Sequence, residues 1–157
     1  MQSAKEFEAM TPQAAAASAI QKPVLRRGSR GSAVLELQQL LARWGYYATP
    51  FDEVFDVPVE NAVKAFQHRV FLVEDGIVGA KTWQGLFSGA PVDMPVLQLG
   101  SRGEAVKTVQ KVLQLNSDGI FGPITQNAIK TFQTSRNLVA DGIVGSRTWF
   151  ELSKLPH

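Results

Sequence analysis

The chain has 157 residues, 45% hydrophobic and 19% charged, with a formal net charge of +2. This is the balance of a globular protein, and no apolar run approaches the roughly 18–20 residues a membrane span needs. The absence of cysteine excludes disulfides, thiol chemistry and thiolate metal sites. So small a net charge leaves no footprint for nucleic acid, although it is unevenly spread. Residues 23–87 hold seven Lys/Arg and seven Asp/Glu, whereas residues 95–157 hold seven against four.

Residues 1–22 read as a flexible N-terminal segment. Glu6 and Glu8 sit where a secretion signal would be basic, and Ala14–Ala17 is too short for its apolar stretch, so no standard signal is expected. From residue 23 the chain repeats itself. Pro23–Leu41 aligns with Pro95–Leu113 at a shift of 72 (95 − 23), with 11 of 19 positions identical. From Asp52 the shift is 66 (118 − 52), and 17 of 35 positions are identical through Leu86 and Leu152. The six-residue difference falls in the first connection, Ala42–Phe51 against Gln114–Ser117. We therefore expect module 1 over residues 23–87, a linker over 88–94 and module 2 over 95–157.

Each module holds three helix-like segments. The first carries Val34, Leu37, Leu41 and Trp44 at helical spacing, matched by Val106, Val109 and Leu113. The second runs over about Val59–Val70 and about Ile124–Arg136, with Ala62, Val63, Phe66 and Ala128, Ile129, Phe132 inward. Asp56 is placed to cap it in one copy, and Pro123 to start it in the other. Asn137 suits the left-handed residue that closes this helix, whereas Phe71 at the same place must be strained there or end the helix differently. The third segment is short, about Lys81–Phe87 and Arg147–Lys154, with Trp83/Leu86 and Trp149/Leu152 facing the core. No segment shows strand alternation, so the fold class is all-α.

A catalytic set is hard to assemble. The histidines are His68 and His157, without the HxxxH or HxxE spacing of a zinc site, and His68 reads as a surface or packing residue. His68 is replaced by Thr134 in the second copy, which argues against a Ser-His-Asp arrangement. Asp52/Asp118 and Asp75/Asp141 are the best acid pairs for glycoside cleavage. Each lies at a turn, however, and an Asp hydrogen-bonding its own turn explains it without chemistry. We expect no metal and no cofactor. Phe66/Phe132 and Trp83/Trp149 read as core before sugar platforms. Tyr46, Tyr47 and Phe51 lie off any core stripe, in the longer first connection, and can either cover the core or present aromatic surface.

With these residues laid out, both modules resemble the type-1 peptidoglycan-binding domain. The second copy carries Leu97, Gly100, Gly103, Val106, Gln110, Asp118-Gly-Ile-Phe-Gly122, Thr125, Phe132-Gln133, Asp141-Gly142, Gly145, Thr148-Trp149 and Leu152. The first matches at both ends but has Asp52-Glu-Val-Phe-Asp56 where two glycines belong, and Val59 for the threonine. Those replacements are expected to change the shape of the turn. The resemblance implies tandem three-helix bundles and a partner in the glycan strand or stem peptide of peptidoglycan, with no nucleic acid and no membrane span. Location in the cell wall or periplasm would follow, next to a separate cell-wall enzyme, because nothing in the chain is left over to be a hydrolase. Ligand contacts are expected from Arg102, Gln133, Arg136 and Asp141 in the second module. Those of the first are Arg30, Gln67, Arg69 and Asp75, with Tyr46 and Tyr47. Gln67 and Gln133 can equally be caps for buried backbone, and the Arg136 side chain is expected to be exposed. The competing reading, from another class, is a protein-interaction or regulatory module that uses the same fold without touching glycan.

Overall fold

The structure is a computed structural model that describes residues 21–157, so the expectation for the N-terminal segment lies almost wholly outside the described residues. Six helices follow in order: α1 (Ser32–Arg43), α2 (Val57–Arg69), α3 (Ala80–Ser88), α4 (Glu104–Val112), α5 (Pro123–Ser135) and α6 (Ser146–Ser153). Extended pairing among the described residues is confined to isolated bridges. The fold is all-α, three helices to each repeat. Two compact units change over between Gly89 and Ala90, with Arg69–Phe71 from the end of the second helix counted with the second unit.

In the second unit, α4 buries Val106, Val109 and Val112, α5 buries Ile129 and Phe132, and α6 buries Trp149 and Leu152. Within each helix these residues recur every three positions, so one stripe of each is driven inward. Leu97, Phe121 and Val144 fill the core from the connecting segments. Each such side chain contributes about 1.5–3 kcal/mol by leaving water. The incoming chain is tied down by reciprocal bonds between Leu97 and Val144 (N–O 3.1 and 2.7 Å). The Trp149 indole N–H, donated to the Pro95 carbonyl at 2.8 Å, fixes it further. The first unit repeats both devices, with Leu25 on Val78 and Trp83 on Pro23.

The helix boundaries follow from local chemistry. Pro123 opens α5, where its missing N–H costs nothing. The Asp56 carboxylate accepts the Val59 N–H at 3.3 Å as the cap of α2. Four helices end alike: the residue after the cap turns left-handed, and the next N–H reaches back five residues. The bonds are Tyr46 N to Leu41 O, Leu72 N to Gln67 O, Leu115 N to Gln110 O and Leu138 N to Gln133 O, at 2.7–2.9 Å. The left-handed residues are Gly45, Phe71, Gln114 and Asn137 (φ 85, 64, 60 and 59°). Phe71 thus takes the strained alternative, ending α2 as Asn137 ends α5. The six extra residues of the first unit divide between α1, three residues longer than α4, and the loop behind it.

Candidate functional site

The turn between successive helices is built over a buried glutamine. In the second unit Gln133, 1% exposed, donates from Nε2 to Asp141 Oδ1 (3.1 Å), the Ile143 carbonyl (2.9 Å) and Thr148 Oγ1 (3.1 Å). Its Oε1 accepts the Gly142 N–H at 3.0 Å. Gln110 does the same with Asp118, Ile120, Thr125 and Gly119, and Gln67 with Asp75, Ile77, Thr82 and Gly76. Of the two readings open for Gln67 and Gln133, the capping one is what the geometry shows. Both amides are saturated inside the fold and hold a turn in shape.

The fourth glutamine works with different partners. Gln38 reaches Asp52 Oδ1 (3.0 Å) and the Val54 carbonyl (3.3 Å), and its Oε1 accepts the Glu53 N–H (3.1 Å). Val59 stands where Thr125 stands in the second unit and has no hydroxyl to offer. The Tyr47 hydroxyl takes that place, 3.4 Å from Gln38 Nε2, and itself donates to the Pro50 carbonyl at 2.8 Å. Glu53 keeps the left-handed backbone of Gly119 (φ 62 against 76°). The turn therefore has the same shape, contrary to the expectation from its lost glycines. The bond from Gly31 N to Glu53 O is 3.0 Å long, as is that from Gly103 N to Gly119 O. Asp56, replacing Gly122, adds the cap on α2.

The aspartates at these turns are exposed but engaged. The Ile143 N–H holds the Asp141 carboxyl below the usual carboxylate range, with the Gln133 amide assisting against partial desolvation. Asp118 is lowered by the Ile120 N–H and then Gln110, and Asp52 chiefly by Gln38. Carboxylates held as anions by fixed donors suit turn formation and are poor proton donors. Among the described residues no group of three or more His, Asp or Glu could hold a metal ion. His68 lies on the surface with Nδ1 2.8 Å from Glu74 Oε2.

A cleft of about 400 Å³ opens beside the Gln133 turn. It is lined by Asn137, Leu138, Val139 and Asp141 from the connection, and by Ser146, Arg147 and Thr148 from the start of α6. A neighbouring recess shares Asn137, Leu138, Ser146 and Arg147 and adds Arg136, Phe150 and Glu151. Of the expected contact residues in the second unit, Gln133 and Asp141 line the cleft and Arg136 lines the neighbouring recess. Arg102 does not line the cleft; it is exposed and bridges to Ile120. Arg136 is less exposed than expected: its side chain, 33% accessible, lies 5.3 Å from the Phe132 ring centre and 3.8 Å from Glu151. In the first repeat Arg30 is exposed and bridges to Val54, and Arg69 is half-buried at the end of α2. Tyr46 covers the core, its ring edge-on to Phe66 at 5.8 Å, whereas Phe51 remains 40% exposed 6.2 Å from Tyr47.

A family model described as a peptidoglycan binding domain matches residues 30–86 and again residues 102–152. The chain belongs to this family, in two copies. Over 151 residues it is 32% identical to the N-acetylmuramoyl-L-alanine amidase CwlM of Mycobacterium tuberculosis, covering 79% of this chain and 36% of that protein. Over 164 residues it is 30% identical to the amidase CwlL of Bacillus licheniformis, covering 84% and 46%. The chain thus spans less than half the length of these relatives. Among solved structures, the SleB N-terminal domain is 39% identical, with 43% of this chain and 92% of that one covered and a TM-score of 0.42. The family's motif residues are mostly those that build the turns. Asn137, Ser146 and Arg147, on the cleft wall, carry no motif and escape sequence reasoning; only their difference from Phe71, Ala80 and Lys81 in the aligned repeat marks them.

Proposed function

We propose that the chain binds peptidoglycan without catalysing a reaction on it, and that the second unit carries most of the affinity. Family membership supports the ligand. The observation that carries the assignment to one unit is the cleft beside Gln133, whose polar wall is replaced by Phe71 and Ala80 in the first repeat. The charge balance agrees, since the second repeat's excess of cations suits the carboxylates of the wall polymer. The two histidines and the donor-held aspartates supply neither a nucleophile–base pair nor a metal set. Attachment to the cell wall or periplasmic polymer, alongside an enzyme that cuts or builds it, is the role that fits.

The test is co-sedimentation of the full chain with purified sacculi, with turbidity followed in the same tubes. The expected outcome is protein in the pellet, at undiminished turbidity. Protein left in the supernatant would favour an interaction module that ignores glycan. Clearing that survives a chelator and repeated purification would identify an enzyme.

A further inference from the structure

The second-unit cleft contains polar side chains that no hydrogen bond or ion pair of the fold engages. Asn137, Ser146 and Arg147 are exposed, line the same hollow, and make no side-chain hydrogen bond or ion pair among the described residues. Their counterparts Phe71, Ala80 and Lys81 accompany the same turn, bonded in the same way around Gln67. The turn therefore does not require a hydroxyl and a guanidinium at these positions, and although Asn137 eases the left-handed end of α5, its side-chain amide is not bonded there. Leu138, Val139 and Ile143 give the cleft an aliphatic side, with Val139 80% and Ile143 36% exposed. Asp141 adds a carboxylate whose Oδ1 is already engaged.

The chemistry of this lining discriminates between the two halves of the polymer. A planar guanidinium without a partner matches a carboxylate, which it can hold through two parallel bonds. An amide and a hydroxyl match the N–H and carbonyl groups of a peptide, and exposed aliphatic side chains suit a small apolar residue such as alanine. An uncharged sugar strand would leave Arg147 unanswered and the aliphatic side facing hydroxyls. Resting on the peptidoglycan reading above, we infer that the cleft takes the stem peptide rather than the glycan. The free terminal carboxylate sits on Arg147, the peptide backbone on Asn137 and Ser146, and the terminal aliphatic side chain against Leu138, Val139 and Ile143.

The test is a titration of the full chain, 17.1 kDa, followed by amide chemical shifts. Three probes are used: an N-acetylated stem pentapeptide whose only carboxylate is its C-terminus, the same peptide as the C-terminal amide, and the peptide-free disaccharide. The free acid is expected to move resonances of residues 137–148 and to bind at least about tenfold more tightly than the amide. Arg147→Gln should abolish that difference while leaving the thermal midpoint in place. Equal binding of acid and amide, shifts outside the cleft, or a response to the disaccharide alone would overturn the inference while leaving the peptidoglycan reading standing. Failure of the unmodified chain to sediment with sacculi would overturn both.

Discussion

The Asp52 turn of the first unit and the Asp118 turn of the second make the same backbone bonds with different residues. In the second unit the glutamine, the threonine and the glycine N–H are all buried, and the glycine takes the left-handed conformation without strain. In the first, a glutamate adopts that conformation, a tyrosine from an inserted loop replaces the threonine hydroxyl, and the bonds lie partly open to water. Backbone geometry dictated by the helices on either side has outlasted the residues that favour it. The turn is therefore structural in both units, and the functional contrast lies beside it.

The largest expected effect tests the buried network directly. Gln110→Leu leaves the Gly119 N–H, the Ile120 carbonyl and the Thr125 hydroxyl without their partner, and should cost about 3 kcal/mol or more. Gln38→Leu, at the wetter turn, should cost about 1–2 kcal/mol because water can reach the released groups. Denaturant unfolding of the two variants checks the order, and equal losses would break the comparison. The next contrast concerns the left-handed position. Gly119→Glu should cost about 1–2 kcal/mol, its new Cβ also crowding the Lys107 side chain at 3.2 Å, whereas Glu53→Gly should stabilise by about 1 kcal/mol. The smallest effect is that of Tyr47→Phe, about 1 kcal/mol or less, since the lost bond from Gln38 is long and the lost bond to the Pro50 carbonyl is exposed to water. Adding Val59→Thr to Tyr47→Phe should recover the Gln38 part of it, by returning a hydroxyl to the place Thr125 holds.

Much of the fold is legible in the sequence. Val34, Leu37, Leu41, Phe66, Phe132, Trp83 and Trp149 declare their buried faces by spacing alone, and all are buried. Two things resisted. Glutamine burial is invisible to hydropathy, yet the signal was present as an internal spacing. Gln110 and Gln133 lie 23 apart (133 − 110), as do Asp118 and Asp141 (141 − 118), so each turn of the second unit is one motif used twice. The left-handed Glu53 and Gln114 could not be foreseen, and left-handed Phe71 only as one of two alternatives, because local propensity opposes all three and only the closing backbone bonds outweigh it. The candidate site was less legible than the fold. Gln133 and Asp141, singled out by their repetition, prove to be committed to the turn, and the uncommitted side chains next to them are those that do not repeat.

The central claim, that the second unit holds the wall polymer through its cleft, is most directly tested by matched substitutions in the full chain. Ser146→Ala with Arg147→Gln strips the second cleft, and Lys81→Gln changes the equivalent cation of the first unit. Retention on purified sacculi is measured for each, beside a thermal melt to confirm that the fold is kept. Retention is expected to fall at least about tenfold for the first variant and to stay unchanged for the second. Retention lost with Lys81→Gln and kept without Ser146 and Arg147 would contradict it.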